Sequence, residues 1–214
     1  MNNNTLTDSA CFIVLEGIEG VGKTTHGQFI QQYLKQQGID LVYTREPGGT
    51  PLAEAIRTLV LQKNSESLTP ISELLLVSAA RAQHVAQIIT PALRAQRWVL
   101  CDRFTDSTYA YQGAGRGIAK EKIAQIEKLI PNLIQPNHII LFDMPVEEAL
   151  ARRKKQSQLD RIEAQYRDFF ERVRACYIQR AKMYTHYSII DATESIADIQ
   201  INLMRILDHL IRDK

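Results

Sequence analysis

Phe12-Ile13-Val14-Leu15-Glu16-Gly17-Ile18-Glu19-Gly20-Val21-Gly22-Lys23-Thr24-Thr25 decides how the rest of the chain is read. From Gly17 to Thr24 it satisfies G-x-x-x-x-G-K-[ST] without a mismatch, directly after an apolar run and ahead of a segment with helical spacing. Glycines let the backbone turn tightly enough for successive N–H groups to converge on phosphate oxygens, and a helix starting near Lys23 adds its positive dipole end. Lys23 is the point charge for the β- and γ-phosphates, and the Thr24 hydroxyl is a ligand for a bridging magnesium ion. The pattern leaves the reaction open, because GTPases, ATPases, small-molecule kinases and non-catalytic nucleotide-binding modules share it.

Working outward, four further runs rich in aliphatic and β-branched residues follow Phe12 to Glu16: Asp40 to Thr44, Trp98 to Asp102, His138 to Asp143 and Tyr187 to Asp191. Most are nearly continuous in apolar residues, as strands covered on both faces are. Helical stretches alternate with them, which predicts an α/β protein with a five-stranded parallel sheet and helices on both faces. Gly38 closes the helix after the phosphate loop. Thr50 caps another that begins at Pro51, with Leu52, Ile56, Leu59 and Val60 on one face. A third helix runs from Ile71 to about Ala95, burying Leu74, Leu75, Val77, Ser78, Ala82 and Val85, with Pro91 kinking its last turn. A C-terminal helix from Ser195 packs Ile196, Ile199, Ile201 and Leu203 into the core.

With 214 residues the chain suits one compact domain, here 11–214 after a loose polar tail of residues 1–10. No stretch approaches 18 consecutive apolar residues, and the N-terminus lacks the basic-then-apolar order of a signal peptide. Cys11, Cys101 and Cys176 are odd in number and without Cys-x-x-Cys spacing, which argues against a disulfide framework or zinc site and fits a reducing cytoplasm. A formal charge of +2 is too small for the surface to bind nucleic acid wholesale. His26, His84 and His138 have no metal-ligand spacing and read as structural or surface residues.

Four features bear on the reaction. Thr44-Arg45-Glu46-Pro47-Gly48-Gly49-Thr50 follows the second strand at the sheet edge that carries the phosphate loop; Arg45 is either an anion ligand or a surface arginine beside a turn. Asp102-Arg103 ends the third strand at that edge, and suits magnesium or water positioning plus a planar phosphate clamp, or a simple ion pair. Arg81 interrupts an apolar helical stripe, so it needs a partner if buried. Arg152, Arg153, Lys154, Lys155 and Arg161 form the densest basic stretch, broken by Gln156 to Asp160; it is a cationic lid of about 152–162 or a solvated helix end. A lid arginine would stabilise charge on a transferring phosphoryl group. A GTPase would carry an Asn-Lys-x-Asp motif, which is absent.

Together these residues resemble the bacterial thymidylate kinases over nearly the whole chain. The resemblance rests on Glu16 to Thr25, on Thr44 to Thr50, on Asp102-Arg103-Phe104 leading to Ser107-Thr108 and Tyr111-Gln112-Gly113, and on Gly115-Arg116-Gly117. Leu159-Asp160-Arg161-Ile162-Glu163 and Ile190-Asp191-Ala192-Thr193 complete it. It implies a nucleoside monophosphate kinase fold with a lid, Mg2+, and transfer of the ATP γ-phosphoryl group to dTMP, giving dTDP and ADP. A kinase for another nucleoside monophosphate and a non-catalytic nucleotide-binding module are the alternatives.

The resemblance also implies residue roles. Gly17, Ile18, Glu19, Gly20, Val21, Gly22, Lys23, Thr24, Thr25, Arg152 and Ala192 bind ATP, and Thr24 and Asp102 bind the metal. Arg45 and Arg103 hold the acceptor phosphate, Arg81 bonds thymine O4, Thr108 approaches N3, and Tyr111 crowds the sugar 2′ position. Pro47, Ser107 and Gln112 join the acceptor site. Glu19, at a loop position basic in some relatives, marks the type whose catalytic arginine comes from the lid; since Gln156 stands near a position often arginine, Arg152 and Arg153 are the donors. Glu19 itself positions the acceptor or organises the lid. Relatives place an aromatic ring on thymine where this chain has Val77, which points to weaker dTMP binding or relaxed base choice unless another side chain compensates. The family further implies a homodimer.

Overall fold

The computed structural model describes residues 10–62, 66–131, 133–154, 160–162 and 165–213. Sixteen segments alternate along them: β1 (Phe12–Glu16), α1 (Lys23–Gln36), β2 (Leu41–Arg45), α2 (Pro51–Leu61), α3 (Pro70–His84), a π-helical stretch (Val85–Ile89), α4 (Thr90–Arg94) and β3 (Trp98–Asp102). Then come α5 (Thr105–Thr108), a second π-helical stretch (Tyr109–Gly115), α6 (Lys120–Glu127), β4 (His138–Asp143), α7 (Val146–Lys154), α8 (Arg167–Met183), β5 (Tyr187–Asp191) and α9 (Ile196–Arg212).

The strands form one parallel sheet in the order β2-β3-β1-β4-β5. Apolar residues alternate between two clusters: Ile13, Leu15 and Leu100 face one, Phe12, Val14 and Val99 the other. Both faces are therefore covered, which is why these strands read as continuous apolar runs. Four strands keep their expected limits, and β2 is shifted by one residue. Asp40 is held outside it by the exposed ion pair to Arg97, while Arg45 pairs in register with Asp102. Ala10, placed with the tail in the sequence reading, is buried beside Phe12 and Val14; residues 1–9 lie outside the described ones.

Registers put Leu15, Arg45 and Asp102 in one row at the carboxyl edge, with Glu16 opposite Leu141 one step on. Because β1 lies between β3 and β4, the loop leaving it opens where the connections diverge, which is where open α/β sheets bind ligands.

The helix limits follow their caps. Thr50 Oγ1 accepts from the Ala53 amide at 3.1 Å, and Gly38 takes φ 77° just beyond α1. Helical faces depart from the sequence reading. On α2, Ala53, Ile56 and Val60 are buried whereas Leu52 and Leu59 are half exposed. Leu75 on α3, and Ile196 and Ile201 on α9, also face outward, because the buried stripe of α9 follows the four-residue steps Ile199, Leu203 and Leu207. The kink expected at Pro91 is instead a wide turn before it, with the Thr90 amide donating to the Val85 carbonyl five residues back. Proline has no N–H and its ring crowds the preceding turn, so widening the ladder resolves both.

Candidate active site

Gly17 and Gly20 hold the phosphate loop close against β4 and α7 respectively. They adopt φ 135° and 85°, and a Cβ on either would collide with a backbone carbonyl oxygen, of Phe142 and of Ala149 respectively. Ile18 and Val21 turn inward as buried anchors. Gly22, at φ 90°, precedes α1 without a side-chain cap, so the first amides of the helix remain for an anion. Lys23 Nζ folds back onto the Gly17 and Ile18 carbonyls at 2.8 and 2.9 Å. Burial, and then the Arg103 cation, lower its pKa to about 8.

Arg103 lies across the loop. With φ 72° it takes a left-handed conformation that costs a non-glycine residue of order 1–3 kcal/mol, held by its surroundings. Its guanidinium stands 4.9 Å from the Tyr111 ring centre and donates to the Gly17 carbonyl at 2.8 Å, Tyr177 Oη at 3.1 Å and Glu19 Oε1 at 2.9 Å. Glu19 Oε2 accepts from the Tyr111 hydroxyl at 2.7 Å. Glu19 thus organises the arginine and the tyrosine.

Beneath them Glu16 is fully buried at the end of β1 and accepts from the Phe104 amide, Ser107 Oγ and the Tyr177 hydroxyl at 2.7 to 2.9 Å. Burial, followed by the charge of Asp106, raises its pKa to about 7.

The buried Arg81 has found its partner in Glu46. Its Nε donates to Glu46 Oε2 at 2.6 Å, Nη1 to Thr108 Oγ1 and Nη2 to the Phe104 carbonyl, both at 2.9 Å. His84 backs the carboxylate, Nδ1 to Oε1 at 2.9 Å, and its Nε2 meets Thr44 Oγ1 at 2.7 Å. Removing either member of such a buried pair strands a charge, at a cost of about 3–5 kcal/mol.

Lys23, Glu19, Arg103, Tyr111, Arg81 and Glu46 share one cleft of about 370 Å³. It is lined by Glu19, Gly20, Gly22, Lys23, Thr24 and Thr25 from the loop and α1, and by Pro47, Val77, Arg81, Asp102, Arg103, Ser107, Thr108, Tyr111 and Gln112 from the other walls. The second π-helical stretch brings the sequence neighbours Tyr111 and Gln112 to the same cavity. Arg153 and Asp160 line it too, flanking residues 155–159, which with Gln156 fall outside the described ones.

Not every expected residue is there. Arg45 is half exposed and pairs with Glu54 at 2.7 Å instead of lining the cleft, because β2 ends one residue later and points it across the turn. Arg57 lines the cleft, its Nη1 on the Pro47 carbonyl at 3.0 Å; burial, then the cations of Arg45 and Arg103, depress its pKa. Arg152 Nη1 donates to the Ala192 carbonyl at 2.9 Å, tying the start of the basic segment to the loop after β5. The sequence reading missed Arg57 and Tyr177, which carry no linear motif at useful spacing; Glu16 and Glu46 lay within the quoted Glu16-to-Thr25 and Thr44-to-Thr50 stretches but were given no role there.

A model of the family described as thymidylate kinase matches residues 15–202. The chain belongs to the thymidylate kinase family. The thymidylate kinase of Ectopseudomonas mendocina is 50% identical over 201 residues, covering 94% of this chain and 96% of that protein. That of Pseudomonas syringae pv. tomato is 48% identical over the same length and coverage. The crystal structure of thymidylate kinase from Ehrlichia chaffeensis superposes with a TM-score of 0.76 at 31% identity, over 93% of this chain and 99% of that one. As a thymidylate kinase the chain is an ATP-dependent nucleoside monophosphate kinase, a phosphotransferase with the P-loop fold described above.

Proposed function

We propose that this chain transfers the γ-phosphoryl group of ATP to dTMP, giving dTDP and ADP, within the cleft between the phosphate loop and Arg81. The reading is carried by one observation: a phosphate loop and a second set of anion and base ligands, Arg57, Arg81 and Arg103, line the same cavity. The acceptor is a phosphate already largely ionised near neutral pH, with a second pKa of about 6, so no general base is needed. Catalysis then consists of alignment and charge stabilisation.

On the donor side, the amides of Gly17 to Thr25 cradle the phosphates, and Lys23 exchanges its two carbonyl contacts for phosphate oxygens, whose negative charge favours its protonated form. Arg152, with Ala192, flanks the nucleoside end, and Arg153 reaches the transferring group. On the acceptor side, Arg103 and Arg57 hold the phosphate, with Arg45 at the rim. Arg81 and Thr108, already bonded to each other, meet the base, beside Val77 and Gln112. Tyr111, fixed by Glu19, limits space at the sugar, and Ser107 and Pro47 complete the wall.

Thr24 and Asp102 fit a divalent cation: both line the cleft, and Asp102 Oδ1 is buried with no hydrogen-bond partner among the described residues. They would hold Mg2+, which when bound neutralises charge on the β- and γ-phosphates. The enzyme works as a homodimer in the cytoplasm. Support for the dimer is the half-exposed Leu52 and Leu59 on α2 and Ile71 and Leu75 on α3, two helices that pack on each other. No helix among the described residues is long and apolar enough to cross a membrane.

A coupled ADP-release assay across dTMP, dUMP, dCMP, dGMP and UMP tests the reading. The expected result is a clear kcat/KM preference for dTMP; preference for any other acceptor overturns it.

A further inference from the structure

Past residues 155–159, which lie outside the described ones, Arg161 is held at three points. Its Nε donates to the Val60 carbonyl at 2.8 Å, its amide to the Leu61 carbonyl at 3.0 Å, and its Nη2 to Glu73 Oε2 at 2.5 Å. Val60 and Leu61 end α2, where carbonyls have no donor within the helix, so Arg161 serves as a side-chain and main-chain cap. Glu73 is 1% exposed. Burial works against its charge, yet Gln112, Arg161 and Arg116 together hold its pKa below the ordinary carboxylate value. A buried carboxylate committed in this way fixes Arg161 firmly in place.

The consequence falls on the next residue. Ile162 packs against the cluster containing Ala53, Val60 and Val77, and it lines the nucleotide cleft together with Val60, Leu61 and Val77. The same cavity holds Arg81, Thr108 and Gln112, which supply hydrogen-bonding groups. An acceptor base therefore meets polar readers and a branched aliphatic surface in one cavity.

We infer that Arg161, anchored by Glu73 and the end of α2, positions Ile162 within an aliphatic wall formed with Val60, Leu61 and Val77, and that this wall favours an acceptor base bearing a methyl group. The inference rests on dTMP being the acceptor. A methyl group on the base gains by leaving water for this wall, and its loss is felt only by the acceptor that carries it.

The test compares dTMP with dUMP, which differ by that methyl group, in steady-state ADP-release assays on the full chain, with melting temperatures recorded. Ile162→Val and Ile162→Ala should lower the dTMP-to-dUMP ratio of kcat/KM stepwise, by about fivefold at alanine, through the KM for dTMP and with the KM for ATP unchanged. Arg161→Ala should reproduce the loss of ratio, and the double variant should add little to it. If Arg161→Ala does not fold, Arg161→Lys, which keeps a cation for Glu73 but loses the guanidinium fork, should show a smaller loss of the same kind. An Ile162→Ala enzyme with unchanged ratio, or one losing dTMP and dUMP equally, overturns the wall; an unchanged ratio in the Arg161 variant overturns its positioning role. Wild-type enzyme with no preference for dTMP over dCMP or UMP would instead overturn the assignment of substrate, a result separable from either.

Discussion

Arg103 collects more of the site than any other residue described here: the loop carbonyl of Gly17, the carboxylate of Glu19, the Tyr177 hydroxyl and the Tyr111 ring. Arg103→Ala should lower kcat/KM for dTMP by about 10²–10³-fold, the scale seen when one preorganised donor to developing charge is removed, while ATP affinity measured by titration changes far less. Glu16 offers a stability test with a definite sign. Its folded pKa of about 7 lies above its ordinary 4.5, so between those values the native state keeps a proton that the unfolded chain releases. Its contribution is present below pH 4.5 and is lost as pH rises to 7, an effect on the order of 3 kcal/mol at ~1.4 kcal/mol per unit. Glu16→Gln should therefore flatten the decline of melting temperature over that window; a wild-type and variant pair with parallel pH profiles would refute it. What the sequence disclosed at this scale were residues in linear motifs, such as Lys23, Thr24 and Asp102-Arg103. It disclosed that Arg81 needed a partner but not which one, since Glu46 is 35 residues away, and the links from Glu73 to Arg161 and from Glu16 to Tyr177 span 88 and 161. Such pairs exist only once the sheet is assembled.

Among the elements, strands were legible to within a residue because burial on both faces leaves an unbroken apolar run with little room for another interpretation. Helical faces were less so. Leu52, Leu59, Leu75, Ile196 and Ile201 fit a helical stripe by hydrophobicity, yet the sheet accepts only part of each helix surface. The two π-helical stretches were invisible, because a widened turn depends on the proline or the cavity it adjoins and leaves no periodicity of its own. The loop between β1 and α1 was the most legible element, and it is also the least tolerant. Gly20→Ala would put a side chain at φ 85° against the Ala149 carbonyl. The left-handed conformation alone costs about 1–2 kcal/mol, so thermal denaturation should show at least that loss, together with ATP binding weakened more than tenfold in a titration.

For the whole molecule, the proposed pairing through α2 and α3 predicts a species of twice 24.4 kDa in analytical ultracentrifugation. Leu59→Glu, on a side chain 52% exposed in the single chain, should return the sedimenting mass to that of one chain without altering far-UV circular dichroism. A monomeric wild type at micromolar concentration would refute the pairing. The cations around the cleft also share a pattern: Arg103 rests on Glu19, Arg81 on Glu46, Arg161 on Glu73 and Arg45 on Glu54, in a chain whose formal charge is only +2. Each of these four arginines has its counter-ion at hand before a nucleotide arrives, so they send little field into solvent to draw an anion from a distance. Capture is then governed by short-range fit, and stopped-flow association rates for ATP and dTMP should fall only shallowly as ionic strength rises past the point where the screening length is about 10 Å. The molecule meets its most highly charged ligands as an almost neutral body, and recognises them by exchanging partners at contact.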